Sequence, residues 1–419
     1  MCLTIPAKVI QVNGNNAIVW QYDKAVTIDI SFLSDIKEGD WLLYVSDTAL
    51  KKIDSKDAEE MMELLASKPP LDIDLLNPKF VEVIKNSKIK ELTREEIIFL
   101  LNSESLEQEA LFREAEITRK TYIRDFICVH GIIEFSNYCG NNCNYCGLRK
   151  DNNLIKRYRM SVNEIVDTAI DAVNNKGYKL LVLQSGEDVF YTADMLAEII
   201  RRIKVQCKVF IFISIGDRDY ETYKKLREAG ASGVLYRFET SNSVLFEKIH
   251  DKNFTKRFEH LEFLKKLGYF VATGSLIGLP GQSIKDLAED LLTIKRLGIN
   301  MVSSGPFIPC EGTPFADFSA GSVDMSLKFI SVARLIMKKA RIPVVTALET
   351  IDQEKGRRYA MRAGANALMF NLTPDKYFND YKIYPNRFIE RNSMIAKYAL
   401  FNNDGSYKML EERLNNEII

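Results

Sequence analysis

Histidine is scarce in this 419-residue chain. There are only three, His130, His250 and His260, which argues against a metal centre built from imidazoles. Net charge is also missing. Lys plus Arg and Asp plus Glu number 57 each, so no global field draws the protein to nucleic acid or to an anionic membrane. No apolar run reaches the roughly 18 residues of a transmembrane helix. The N-terminal MCLTIPAKV lacks the charged start and long apolar stretch of a signal peptide. No low-complexity tract and no membrane-type amphipathic segment stands out. These absences lead to the expectation of a cytoplasmic protein with no nucleic-acid or membrane partner. What remains, 46% apolar and 27% charged residues, is the balance of a globular chain with a sizeable core.

Cysteine is present in an informative pattern. The seven cysteines are odd in number, and three fall within eight residues, which indicates reduced thiols at a metal site rather than a disulfide framework. Around them the chain changes texture. Residues 1–67 hold short β-rich runs (KVIQV, NAIVWQ, KAVTIDI, DWLLYV) broken by turn signals at Asn13-Gly14-Asn15 and Glu38-Gly39-Asp40, closed by a helix from about Asp57 to Ser67. Pro69-Pro70 marks a boundary, and residues 68–125 read as a helical connector, with helical periodicity over Asn102–Glu114.

From residue 126 to 385 strand and helix signals alternate. Eight strands can be counted: ICVHGIIEF, KLLVLQ, KVFIFIS, GVLYRFE, FVATGSLI, NMVSSGPF, PVVTAL and ANALMF. Amphipathic helices separate them, among them Ser161–Asn174, with Ser161 and Glu164 spaced as a capping box, and Ser283–Leu297. Repeated βα units imply parallel strands with right-handed crossovers. An open doubly wound sheet is the alternative, but eight units favour a closed (β/α)8 TIM-type barrel, with chemistry at the C-terminal ends of its strands. Residues 386–419 read as a helical C-terminal tail.

Cys139-x3-Cys143-x2-Cys146 follows directly on the first barrel strand. Three thiolates on one short loop can hold three corners of a [4Fe–4S] cubane and leave the fourth iron open to a ligand with an amine and a carboxylate. Tyr145 is an aromatic placed beside such a ligand's adenine. The competing reading is structural zinc, with Cys128 or His130 as fourth ligand. Later strand ends supply further polar groups. Gln184-Ser185-Gly186-Glu187-Asp188 offers carbonyls to an ammonium, with glycine permitting close approach. Ser214 ends strand 3. Arg237 and Glu239 share a face of strand 4, and arginine's fork of donors suits a carboxylate. The glycine-rich Gly274–Gln282 follows strand 5. Cys310, after strand 6, is a candidate for the substrate cavity, whereas Cys128 and Cys207 read as core.

On these residues the stretch from about Ile127 to Pro385 resembles the HydE family of [FeFe]-hydrogenase maturases, within the radical S-adenosylmethionine (SAM) enzymes. IIEFSNYC, CGLRKDN, KRYRM, LVLQSGED, RFETSN, GSLIGLPGQ, GPFIP and RAGANALM carry the match. Methylornithine synthase of pyrrolysine biosynthesis is a less similar relative, although CEGTPFADF and ALETID lean toward it. Residues 1–67 resemble HypC, a chaperone of [NiFe]-hydrogenase maturation, through MCLTIPAKV, EGDWLLYV and ALKKIDSKDAEEMMELL; the HypC family fold is a small, OB-like β-barrel.

The HydE resemblance implies one [4Fe–4S] cluster on Cys139, Cys143 and Cys146. SAM would be held by Gly186, Glu187, Ser214, Arg237, Glu239 and Arg257, its adenine against Tyr145, Leu279, Phe307, Ile308 and Pro309. A substrate pocket is implied near Thr346, Tyr377, Tyr381 and Tyr384, with Cys310 and His130 as further substrate-side candidates. Departures are visible. His130 stands where the family carries a strand-1 arginine, Phe238 interrupts the RHET-like motif, Cys310 replaces the usual histidine, and the accessory cysteines after Tyr384-Pro385 are missing, so no second cluster is expected.

The HypC resemblance makes Cys2 an iron ligand and allows an Fe–CO–CN fragment there, with Val45 where those proteins carry a histidine. Together they imply an enzyme that cleaves SAM reductively to a 5′-deoxyadenosyl radical and acts on an Fe–CO–CN–cysteine synthon. An amino-acid carbon-skeleton mutase and a non-catalytic metal-fragment carrier are the alternatives. The implied partners are a small-molecule or organometallic substrate, an electron donor such as ferredoxin or flavodoxin, and other hydrogenase maturation proteins.

Overall fold

The computed structural model describes residues 5–21, 24–45, 47–65, 75–123, 126–353 and 356–388. They fall into two compact units, one before and one after residue 71. Cys2 lies outside the described residues, as does the predicted tail beyond residue 388. Among the described residues no helix is long and apolar enough to cross a membrane.

The first unit is a five-stranded closed barrel. Its strands are β1 (Ile5–Asn13), β2 (Asn16–Gln21), β3 (Lys24–Asp29), β4 (Trp41–Val45) and β5 (Thr48–Ile53), in the order β1-β2-β3-β5-β4. Alternation puts Ala7, Val9, Ala17, Val19, Ile28, Leu42 and Tyr44 inside, where small residues fit the narrow bore. Gly14, at φ +60°, makes the tight turn between β1 and β2. The helix Ser55–Leu65 follows β5.

The second unit is the expected βα barrel. Its strands are β6 (Cys128–Ser136), β7 (Leu180–Ser185), β8 (Phe210–Ser214), β9 (Gly233–Leu235), β10 (Phe270–Thr273), β11 (Leu276–Ile277), β12 (Met301–Val302), β13 (Gly305–Pro306), β14 (Pro343–Val344) and β15 (Ala367–Asn371). Eight form one parallel sheet, in the order β12-β10-β9-β8-β7-β6-β15-β14. Its two edges meet through Arg341, whose N–H donates to Asn300 O (3.0 Å) and whose carbonyl accepts from Val302 N–H (2.8 Å). That isolated bridge leaves the barrel nearly closed. Every residue of β6 is buried, as expected for a parallel strand covered on one face by helices and on the other by the barrel interior. β11 pairs with β13 beyond the ends of β10 and β12. Between β10 and β11, a Cβ on Gly274 would stand 2.3 Å from Ser303 O, so only glycine lets the two chain segments approach.

Helices start where the capping residues predict. Ser161 caps Val162–Asn174 with Glu164 closing the box, and Ser283 with Asp286 does the same for Ile284–Arg296. The helices Pro78–Ile89, Arg94–Leu101 and Ser105–Ile123 belong to the barrel unit. The second packs on Ile284–Arg296, and the third on Val323–Ile336. The stretch read as a connector is therefore part of the barrel's outer layer.

Candidate active site

The strand ends converge on a cavity of about 320 Å³. Cys139, Cys143 and Cys146 line it on a loop that other strand ends hold in place. Gly140 N–H donates to Glu187 O (2.9 Å), Asn144 N–H to Ile249 O (2.9 Å) and Gly147 N–H to Ile383 O (2.9 Å). Arg157 staples the loop by donating to the carbonyls of Asn137, Leu148, Arg149 and Asn152. At Gly186 a Cβ would meet Tyr138 O at 2.2 Å, so the β7 end can pass this close to Cys139 only as glycine.

Burial raises the pKa of all three thiols, and neighbouring thiols raise those of Cys143 and Cys146 further. Burial pushes the Cys146 thiol up to about 12, with Cys139 adding to it, and Cys143 is raised by burial and then by both neighbours. Three thiolates here would repel one another in a low dielectric, and a polycationic cluster relieves that strain. Among the described residues no three His, Cys, Asp or Glu side chains are arranged around a single ion. Three thiols on one short loop at the cavity are a donor set that fits three corners of an iron–sulfur cluster. The zinc reading needs a fourth ligand close to that loop. Cys128 and His130 lie at the start of β6, about 26 and 20 Å of extended strand from its end at Ser136, before the cysteine loop.

Next to the thiols is a charged rim suited to an amino acid. Glu239 has φ +65°, a left-handed conformation that costs a non-glycine residue about 1–2 kcal/mol. It is imposed by Glu239 N–H donating to Gly274 O (3.0 Å) and Leu276 N–H donating back to Glu239 O (2.9 Å). The bend turns the carboxylate toward Arg237 Nη2 (3.0 Å) and the Tyr145 hydroxyl (3.3 Å). Arg257 is buried, with Nη1 3.2 Å from Asp217 and its guanidinium over Tyr236. Glu187 binds Lys252 (2.9 Å) and accepts from Asn141 and from Asp217 N–H. Ser214, Phe307 and Ile308 line the cavity. Leu279 packs with Leu276 and Phe307 beneath the ring of Tyr145, an apolar bed for a planar base.

Deeper in, Thr346 Oγ1 and Tyr384 OH are 2.7 Å apart, and Gln184 Nε2 donates to Tyr381 OH (3.2 Å). Not every predicted residue arrives here. Tyr377 stacks on Tyr158 and donates to Glu164 (3.0 Å), outside the cavity. His130 sits at the far end of the barrel, buried, with Nε2 3.2 Å from Cys128 Sγ; burial and Arg341 hold its pKa down to about 3. Cys310 is behind the loop rather than in the cavity lining. A Cβ on Gly147 would lie 2.6 Å from its Sγ. Pro309 is likewise not among the lining residues.

Several site residues escaped the sequence reading. Glu134 and Arg387 form a buried ion pair (2.7 Å) at the cavity, with Asn371 Nδ2 donating to the same carboxylate (2.8 Å). A carboxylate inside the apolar run of β6 was the available signal, since buried charges require partners. His250, also lining the cavity, sits 3.2 Å from Cys143 Sγ, and burial with Arg257 beside it holds its pKa down to about 3.

Asp290 supports the Glu239 bend from below, accepting from both Ser241 N–H and Oγ–H at 2.6 Å. Burial pushes its carboxyl up to about 7. The folded chain thus holds a proton that the unfolded chain releases, so this stabilisation is complete below about pH 4 and is lost as pH rises through 7. Asp290→Asn cannot ionise and is expected to flatten the decline in urea stability between pH 5 and 8. An unchanged decline would place the titrating group elsewhere.

Known proteins agree with this geometry. The radical SAM superfamily matches residues 133–294, the HupF/HypC family residues 1–65, and the biotin and thiamin synthesis associated domain residues 303–398. The [FeFe] hydrogenase maturase subunit HydE of Thermotoga maritima is 42% identical over 309 residues, covering 73% of this chain and 88% of that protein. The 3-methylornithine synthase of Methanosarcina acetivorans is 32% identical over 77% of this chain and 89% of its own length. Among solved structures, methylornithine synthase (PylB) superposes with a TM-score of 0.69 at 31% identity, covering 75% of this chain and 94% of that one. The maturase HydG of Carboxydothermus hydrogenoformans, at 20% identity and a TM-score of 0.65 over 78% of each chain, shares the fold. A three-cysteine loop at the mouth of a nearly closed βα barrel, joined to that level of identity, makes this chain a member of the HydE-like family of radical SAM enzymes, carrying a HypC-like domain at its N-terminus.

Proposed function

We propose that this enzyme acts in the assembly of a hydrogenase metal cofactor, on an iron–cysteine substrate carrying CO and cyanide. The 42% identity to the HydE subunit over most of both chains carries the reading. The HypC-like module supports it, because that resemblance also concerns Fe–CO–CN fragments, for which Cys2 would be the thiolate ligand.

When bound to the three thiolates, the cluster with SAM supplies one-electron cleavage of the S–C5′ bond and hence a carbon radical. The chain's own residues position and enclose. Arg237 and Arg257 would hold the carboxylate of SAM, Glu239 its ammonium, and the Leu276–Leu279–Phe307 bed packed with Tyr145 its adenine. Thr346, Tyr381 and Tyr384 hold the substrate deeper in the barrel, where water is excluded. Tyr384 is buried and its pKa is raised by that burial, so its hydroxyl keeps its proton and can donate. A ferredoxin or flavodoxin would serve as electron donor.

Arg257→Ala and Glu239→Ala are each expected to weaken SAM binding by about 1–3 kcal/mol, the cost of removing one partner from a charge-assisted contact. Glu239→Gly should lose the same affinity yet be about 1 kcal/mol more stable than Glu239→Ala, since glycine adopts φ +65° freely. Calorimetric titration with SAM and urea unfolding read the two effects separately. SAM affinity unchanged in all three variants would remove these residues from the binding site.

The substrate reading is tested by 5′-deoxyadenosine release from reduced enzyme given a synthetic cysteine–iron carbonyl cyanide complex or lysine. Release and substrate consumption are expected to be coupled with the iron complex alone. Coupling to lysine would establish the amino-acid mutase reading instead, and no release with a fully loaded cluster would establish a carrier. Cys2→Ser should leave this release intact while reducing the CO and cyanide infrared bands retained on the protein.

A further inference from the structure

The segment from Lys248 to Asp251, at the C-terminal end of the helix Ser243–Ile249, is strapped to the cysteine loop. Asn144 donates through its backbone to Ile249 O (2.9 Å) and through its side chain to Lys248 O (2.8 Å), and Asn142 N–H donates to Asp251 (3.3 Å). These bonds fix the backbone and leave the imidazole of His250 over the loop. Its Nδ1 lies 3.2 Å from Cys143 Sγ and its Nε2 3.5 Å from Tyr145 OH. The ring meets Tyr145 edge-on at 5.5 Å and Phe246 at 4.7 Å, so packing on both sides holds its orientation.

We infer that His250 is a positioning residue for the cluster, donating Nδ1–H to the Cys143 thiolate and so setting the ease with which the cluster is reduced. This rests on the family's cluster being held by Cys139, Cys143 and Cys146, and is independent of the substrate. A neutral imidazole has one N–H and one lone pair. A ligating thiolate can only accept, so the proton belongs on Nδ1 and Nε2 keeps its lone pair, 3.5 Å from the Tyr145 oxygen. That hydroxyl also faces Glu239 Oε1 at 3.3 Å, and Glu239 pairs with Arg237.

The other two ligands differ in kind. Cys139 accepts from Glu187 N–H (3.4 Å) and Cys146 from the backbone of Leu148, donors that no side-chain change removes. Among the described residues only Cys143 takes its donor from a side chain. A hydrogen bond to a cluster sulfur favours the more negative, reduced state, so His250 raises the potential. An electron donor then need be less strongly reducing.

The test compares reconstituted wild type, His250→Phe, His250→Asn and His250→Gln by iron content and by EPR-monitored redox titration without SAM. The Asn amide N–H can take the place of Nδ1–H, whereas Gln reaches toward the Nε2 position. The expected result is a fall of about tenfold in the one-electron reduction equilibrium for Phe and Gln, about 59 mV, with Asn near wild type. Equal potentials in wild type and Gln would overturn the inference, as would an Asn variant that falls as far as Gln. If the Phe variant loads no iron, the Asn and Gln pair still decides. Wild type that takes up no iron would instead refute the cluster assignment itself.

Discussion

Cys143→Ala is expected to yield a folded protein that holds no stable [4Fe–4S] cluster, gives no EPR signal on reduction and forms no 5′-deoxyadenosine from SAM. Cys143 lines the cavity with Cys139 and Cys146, and two ligands on so short a loop cannot retain a cubane that needs three. The same loss is expected for Cys139→Ala and Cys146→Ala. Cys310→Ala is the informative control, because its sulfur packs against Gly147 behind the loop and does not line the cavity. Its iron content should match wild type. One tightly bound zinc and no iron in the reconstituted wild type would sink the cluster reading.

Most of the barrel was legible because parallel buried strands leave a local signature, apolar runs bounded by turns. All eight runs became strands of one sheet. Two of them, FVATGSLI and NMVSSGPF, each contain a break at Gly274 and Ser303–Ser304, where the barrel ladder ends and the short β11–β13 pair begins. Nothing in the alternation shows that break, since it depends on two segments coming within reach across the sheet. The cluster loop was legible for the same reason as the strands: its ligands are neighbours in the chain.

Residues that act through distant partners were not legible. His130 was linked to the site because it is on the first strand, but β6 spans the barrel, and a residue at its start lies far from the mouth. Tyr377 is close in sequence to Tyr381 and Tyr384, yet the turn after the helix Asp375–Phe378 sends the latter two inward and leaves Tyr377 on Glu164. Arg387 fell in the stretch read as a tail. Its significance depends on Glu134, which belongs to the opposite end of the barrel sequence. His250 was set aside with the scarcity of histidine, an inference about composition that cannot anticipate a single well-placed ring.

The Arg387–Glu134 pair allows a test that separates stability from substrate handling. The two side chains are 7% and 3% exposed, so either charge alone would be stranded in a low dielectric. Glu134→Leu and Arg387→Met are each expected to lose about 3–5 kcal/mol in urea unfolding, and the double variant to recover most of that loss. Recovery should be incomplete, because Asn371 Nδ2 also donates to Glu134 and would be left without that acceptor. Arg387 further donates Nη1–H to Tyr381 O (2.6 Å), and so draws the segment bearing Tyr381 and Tyr384 against β6. In the double variant that segment loses one of its ties and keeps those to Gly147, Gln184 and Thr346. Iron content and SAM affinity should then stay near wild-type values, since Gly147 N–H still holds Ile383 O and the Arg237–Glu239 rim is built from other strand ends. Substrate-coupled turnover should collapse, leaving only slow, uncoupled 5′-deoxyadenosine release. A double variant that is stable and still fully coupled would reduce the pair to a structural staple and move substrate recognition to other residues of the cavity.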